Sequence, residues 1–151
     1  MVELLEPLFT TLPVSRAMPR LVVDGPGSSG HADEVDSLLE SSSFGEALIC
    51  GLWLYVDELD RSHRISQGLE DATGSFWHGI MHRREGDFPN SHHWFRKVGA
   101  HSAMKDIEGY DPHAFIDEVE AAHLRGEAPE HLADLQRREW AALFAWCARV
   151  A

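Results

Sequence analysis

Hydrophobic and polar positions along this chain recur mostly at helical spacing. Between Phe44 and Gln67, Leu48, Leu52, Val56 and Leu59 fall three or four residues apart, the period that places side chains on one helix face. Ser41, Ser42 and Ser43 precede the stretch, and a serine oxygen caps a helix by accepting from an unpaired backbone N–H. The same track runs on to His63 and Gln67, so the apolar face turns polar without leaving its line. That change predicts a helix whose first half packs and whose second half lines a cavity. Asp71 to Gly74 reads as a turn, Ser75 as the cap of a second helix from Phe76 to Glu85, and Gly86 as its stop. Asp87 to Asn90 reads as a tight turn, and Ser91 as the cap of a third helix from His92 to Val98. Residues 100–110 read as a loop. Asp111-Pro112 opens a fourth helix to about Leu124, with proline in the first position, where its missing N–H costs nothing. Pro129 opens a fifth to about Arg149, striped by Leu132, Leu135 and Leu143.

Residues 1–40 break this rhythm. Pro7, Pro13 and Pro19 interrupt the apolar pieces, and Gly25 to Gly30 is rich in glycine and serine. An irregular arm and loop laid over a helical core of residues 41–151 is expected. Strand signals are nearly absent. The pattern predicts an all-α fold, a single domain forming an irregular bundle of about five helices with an extended N-terminal arm. At 151 residues the chain can bury a sizeable core without metal or disulfide staples. Cys50 and Cys147 lie in apolar helical patterns, which favours buried thiols over a disulfide.

Charge narrows the partners. With 25 acidic and 13 basic residues the formal net charge is -12, which disfavours nucleic acid and anionic membrane. The opening MVELLEPLFTTLP has no basic n-region and no long apolar run, so it does not read as a signal peptide. No apolar run approaches the roughly 20 residues needed to span a bilayer. A cytoplasmic location is expected.

Candidate chemistry is concentrated between His78 and Arg96, where nineteen residues hold four histidines, three arginines, two carboxylates and an asparagine. His78, His82 and Glu85 fall at i, i+4 and i+7, on one helix face. A helical His-x-x-x-His pair points two imidazoles at one spot, as zinc and iron sites require. The glutamate of the His-Glu-x-x-His protease motif is missing. His63, Glu85 or Glu139 could supply a third ligand. Glu139 stands midway on the stripe of the fifth helix, four residues from both Leu135 and Leu143, so it must be paired, protonated or bound.

Three readings stay open here. In one, His63, His78, His82 and Glu139 hold zinc or iron. In another, a metal-free pocket uses His63 or His82 as acid or base, with Glu85 and Asp87 beside them. In both, Gln67, Arg83, Asn90, Trp94 and Arg96 would hold the substrate, Arg83 by an anionic group. In the third, the histidines are satisfied in the core and the Arg/Glu/Asp run is a salt-bridged surface. His92 and His93 are adjacent, so at most one of them faces such a site. Trp53, Trp77, Trp140 and Trp146 read as core, and no phosphate-binding loop or nucleophilic triad is present.

Ser62 to Gln67 followed by Trp77 to Asp87 resembles a group of small uncharacterised bacterial and fungal proteins with a Trp-His-x-x-Met-His-Arg-x-Glu core. The resemblance spans about residues 45–100, including Trp94-Phe95-Arg96, and faintly the Glu139-Trp140 region. It implies a family hallmark and no activity. The expected function is a small-molecule enzyme of hydrolase, lyase or isomerase type. The alternative is a non-catalytic module binding an anionic metabolite through Arg83, Arg84 and Arg96. A homodimer, or a subunit completed by a partner, is left open.

Overall fold

A computed structural model describes residues 2–23 and 30–151. Among these residues the fold is all helical, with eight α-helices and no strand. They are α1 (Val2–Thr11), α2 (Ala32–Glu40), α3 (Glu46–Tyr55), α4 (Leu59–Ser66), α5 (Ala72–Glu85), α6 (Phe88–Val98), α7 (Pro112–Leu124) and α8 (Glu130–Val150). A 3-10 helix, Ser102–Asp106, lies within the expected loop. The all-α class holds, and the count of five helices does not.

Three of the extra helices come from the N-terminal half. The arm carries α1 and α2 rather than irregular chain. Pro7 lies inside α1, where it forfeits a backbone bond but leaves Leu5 and Leu8 buried on one face. The expected loop at Gly25 to Ser29 lies outside the described residues. The long helix expected from Phe44 to Gln67 is two, broken at Asp57, which takes a left-handed backbone with φ 64°. Aspartate tolerates that region better than most residues, and the Asp57 carboxylate accepts from buried Arg84 at 2.6 Å. The apolar track runs across the break, which is why periodicity alone does not reveal it.

α5 is the central helix, and it starts four residues earlier than Phe76. Asp71, not Ser75, caps it, its carboxylate accepting from the Gly74 N–H at 2.8 Å. Every residue from Thr73 to Arg84 is buried, so α5 has neighbours on all sides and no amphipathic stripe. Gly86, at φ 84°, ends it in the left-handed form. The turn expected at Asp87 to Asn90 is the cap and first turn of α6. Asp87 accepts from the Asn90 N–H, and Pro89 sits where no N–H is needed. Asp111 caps α7 as expected, accepting from the N–H groups of His113 and Ala114.

Apart from Ile107, the buried apolar side chains of the described residues form one cluster. Its aromatic centre joins Tyr55 to Trp140 (ring centroids 4.5 Å) and Trp140 to Phe144 (4.6 Å, stacked). The chain between α1 and α2 is strapped to this core through its carbonyls. Tyr55 donates to the Leu12 carbonyl. Arg137 donates to Ala17 at 2.8 Å, and Gln136 to Met18 and Arg20 at 3.0 and 3.1 Å. Arg84 reaches Arg20 at 3.2 Å. No helix of the described residues is long and apolar enough to cross a membrane.

Candidate metal centre

Two helices bring three imidazoles together. α5 presents His78 and His82 one turn apart, and α4 presents His63 against them. One ligand nitrogen from each of the three lies within 4.8 Å of the others. Ring centroids are 4.7 Å apart for His78–His82, 4.8 Å for His63–His78 and 5.5 Å for His63–His82. α4 is held in this register by the residue before His63. The Ser62 hydroxyl donates to the Cys50 carbonyl of α3 at 3.0 Å, and Cys50 Sγ lies 3.1 Å from Ser62 Oγ. Burial pushes the Cys50 thiol up to about 12 and the Cys147 thiol to about 11, and both are free.

The nitrogens of the two α5 histidines differ in their surroundings. His82 Nδ1 lies 2.7 Å from Glu85 Oε1 and 4.0 Å from Asp87 Oδ2. A carboxylate only accepts, so Nδ1 carries a proton, and in the neutral ring that leaves the lone pair on Nε2. His78 is 3% exposed, and its Nδ1 is sealed from solvent without a hydrogen-bond partner. Burial, then the neighbouring His82 and His63, then Lys97 and His93, push its pKa down to about 3. His78 is therefore neutral at physiological pH, the form that ligates a metal. His82, Glu85 and Asp87 make a second, more exposed donor group that shares His82.

α6 closes one side. Trp94 lies flat on His78, centroids 3.8 Å apart and planes 13° apart, and the Lys97 ammonium sits 4.5 Å from the centre of the Trp94 ring. This close approach depends on Gly79, because a Cβ there would stand 2.7 Å from the Phe95 ring. The Ser91 hydroxyl, donating to the Gly79 carbonyl at 2.7 Å, fixes the contact.

Two sequence expectations are corrected. Arg83, expected to hold substrate, and Glu139, expected to ligate a metal, are bonded to each other in the core. Arg83 donates to Glu139 through two bonds of 2.9 and 2.7 Å, and both side chains are 0% exposed. Tyr110 also donates to Glu139, and Phe115 lies under the guanidinium at 4.3 Å. The physical reason is rotation about α5. Arg83 is one residue beyond His82, about 100° round the helix, and faces α8 instead of α4. Arg84 is also in the core, on Asp57 and the Leu54 carbonyl. Neither arginine is available to a metabolite, nor is this stretch of the run a salt-bridged surface.

The remaining expected residues scatter around the histidines. Gln67 is exposed at the end of α4, and Arg96 is exposed on α6. Asn90 donates to Asp87 at 2.8 Å. His92 turns to α7, with its Nδ1 2.8 Å from His113 Nδ1 and its Nε2 3.0 Å from Asp117. His93 is exposed, edge-on to Trp94. Sequence reasoning passed over Lys97, although its place three residues after Trp94 puts both on one face of α6. Comparison with protein-family models, with curated proteins and with solved structures found no match.

Proposed function

We propose that this chain is a small-molecule enzyme of hydrolase, lyase or isomerase type, acting through one zinc or iron ion held by His63, His78 and His82. One observation carries the proposal. Three imidazoles from two helices converge within 4.8 Å, and the most buried of them has a nitrogen with no partner. A sealed, unsatisfied polar atom costs about 1–3 kcal/mol, and the neighbouring lone pairs mark a cation as the natural way to use such a cluster. Small ring rotations bring the nitrogens to the roughly 3.3 Å spacing of a tetrahedral zinc site. Three protein ligands with a position left for water or substrate is the layout of catalytic zinc. Such an ion polarises a carbonyl or phosphoryl oxygen and makes bound water acidic. Glu85, on the far nitrogen of His82, orients that ring and raises its basicity. Asp87, 4.0 Å from the same nitrogen, adds negative charge on that side of His82 while its carboxylate accepts from Asn90.

The test is elemental analysis of tag-free protein beside His78→Ala and His82→Ala variants. Near-stoichiometric zinc or iron that is lost in both variants is expected. Failure to bind either metal after reconstitution, in protein with intact helical circular dichroism, would refute the centre. A second reading keeps the ion but not the turnover. The depth of His78 and His82, 3% and 7% exposed, favours a metal that staples α4 to α5 in a sensing module. Metal binding with no hydrolytic, elimination or isomerisation activity across a substrate panel would select it.

A further inference from the structure

We infer that a second divalent cation binds beside the three-histidine centre, on His82 Nδ1 and the carboxylates of Glu85 and Asp87, so that His82 bridges two ions. For the inner ion the inference rests on the metal reading above. The three outer donor atoms lie within 4.8 Å of one another. Glu85 Oε1 is 2.7 Å from His82 Nδ1, and Asp87 Oδ2 is 4.0 Å from it. Zinc bonds to imidazole nitrogen and carboxylate oxygen at roughly 2.0–2.2 Å, so a pair of such bonds spans both separations. The backbone sets this spacing. Gly86 turns left-handed at the end of α5, and the Asp87 N–H donates back to the His82 carbonyl at 2.9 Å. The Asn90 side chain then steadies the Asp87 carboxylate at 2.8 Å.

Charge at this corner calls for a cation. Among the described residues no lysine or arginine pairs with Glu85 or Asp87, and His82 is the ion-pair partner of both. Arg83 and Arg84, their neighbours in sequence, are turned into the core on Glu139 and Asp57. Glu85 is also the last residue of α5, where the carbonyl end of the helix disfavours a carboxylate. One imidazole with two carboxylates is a donor set that zinc accepts. The carboxylate side chains are 38% and 40% exposed and the His82 ring 9%, so an ion enters from solvent and meets a fixed nitrogen. The outer ion displaces the Nδ1 proton to solvent, which leaves an imidazolate with a lone pair on each nitrogen. An imidazolate is a stronger donor than imidazole, so each ion tightens the binding of the other, by the same factor. With two exposed ligands the outer ion exchanges with buffer, and titration reads it where the purified protein does not.

The experiment uses full-length protein carrying its inner zinc. Further zinc is titrated in by calorimetry, in two buffers of different ionisation enthalpy, which counts the protons released. Wild type should take up one more zinc per chain and release one proton. Glu85→Gln/Asp87→Asn keeps both side-chain shapes, an acceptor for His82 Nδ1 and the cap of α6, and removes both anionic ligands. It should retain the inner zinc and its helical circular dichroism and lose the second uptake. No second uptake by wild type would overturn the outer site. Equal uptake by the double variant would overturn it too, and assign that zinc to exposed histidines elsewhere. Uptake without proton release would overturn the bridge. His63→Ala separates the outer site from the reading it rests on, because it should lose the inner zinc and keep the outer one. A wild type that holds no inner zinc, yet binds one that the double variant loses, would overturn the inner centre and the bridge and leave the outer site standing.

Discussion

Replacing Glu139 by glutamine keeps the size and shape of the side chain and strands the Arg83 guanidinium. Arg83 is wholly buried, and its partners besides Glu139 are the Gln136 carbonyl oxygen at a long 3.5 Å and the face of Phe115. The two short bonds to Glu139, 2.9 and 2.7 Å, are what compensate the charge. Breaking a buried ion pair from one side costs about 3–5 kcal/mol. That is a large part of the 5–15 kcal/mol typical of a folded domain, and lowers Tm by roughly 10 °C for a chain of this size. Urea and thermal unfolding of Glu139→Gln should show the loss, with metal content unchanged at low temperature. An Arg83→Met/Glu139→Leu double variant should recover most of the stability, because no charge is left buried. The reasoning fails if Glu139→Gln unfolds within about 1 kcal/mol of wild type, well inside the cost above. It also fails if the variant loses metal while remaining as stable as wild type, since Glu139 would then belong to the metal centre.

Glu85→Ala removes the acceptor that fixes the His82 tautomer, so metal affinity should fall about 10- to 100-fold. Circular dichroism should not change, because Glu85 is exposed and makes no other bond. His101 supplies a pH dependence away from the histidine cluster. Its Nδ1 accepts from the Ala103 N–H at 3.1 Å and its Nε2 lies 3.0 Å from the Thr73 hydroxyl, so the neutral ring is the bonded form. Burial pushes its pKa below the ordinary 6.5, against a weaker opposing pull from Asp71. The unfolded chain then binds a proton before the folded one does, so stability is full above about pH 6.5 and declines as pH falls below it. Urea midpoints measured at pH 7.5 and 5.5 should show the decline, with a shallower slope in His101→Asn; an unchanged slope would remove His101 from the explanation.

Sequence periodicity reached the elements whose punctuation is local. Asp111-Pro112 and Pro129 mark the starts of α7 and α8 within one or two residues, because capping needs nothing from the rest of the fold. Asp57 is different. Its left-handed backbone is stabilised by Arg84, 27 residues away, and no local pattern announces that partner. The prolines of residues 1–20 hid α1, although Leu5 and Leu8 carried its buried face in plain view. Within the site, the i, i+4 spacing of His78 and His82 was legible, and His63 was reachable by following the apolar track of α3 into α4. Choosing His63 over Glu139 as the third ligand was not. That choice depends on which face of α5 meets α4 and which meets α8, and on α5 every face is buried. The same limit made Arg83 look like a neighbour of His82 when it is turned to the opposite partner.

The carbonyl-held strap between α1 and α2 has a consequence for tolerance to change. Arg137, Gln136 and Arg84 grip the peptide oxygens of Ala17, Met18 and Arg20, groups that every residue possesses. The strap's path is therefore held by these core side chains together with Tyr55, and by its own buried Ala17, Met18, Leu21 and Val23. Met18 must still accept φ 50° and stay small enough to be buried, and Arg20 faces Asp57 at 3.7 Å, but the exposed Arg16 and Pro19 carry no such demand. A random library confined to Arg16 and Pro19 should yield folded protein at high frequency, whereas one confined to Arg84, Gln136 and Arg137 should yield almost none.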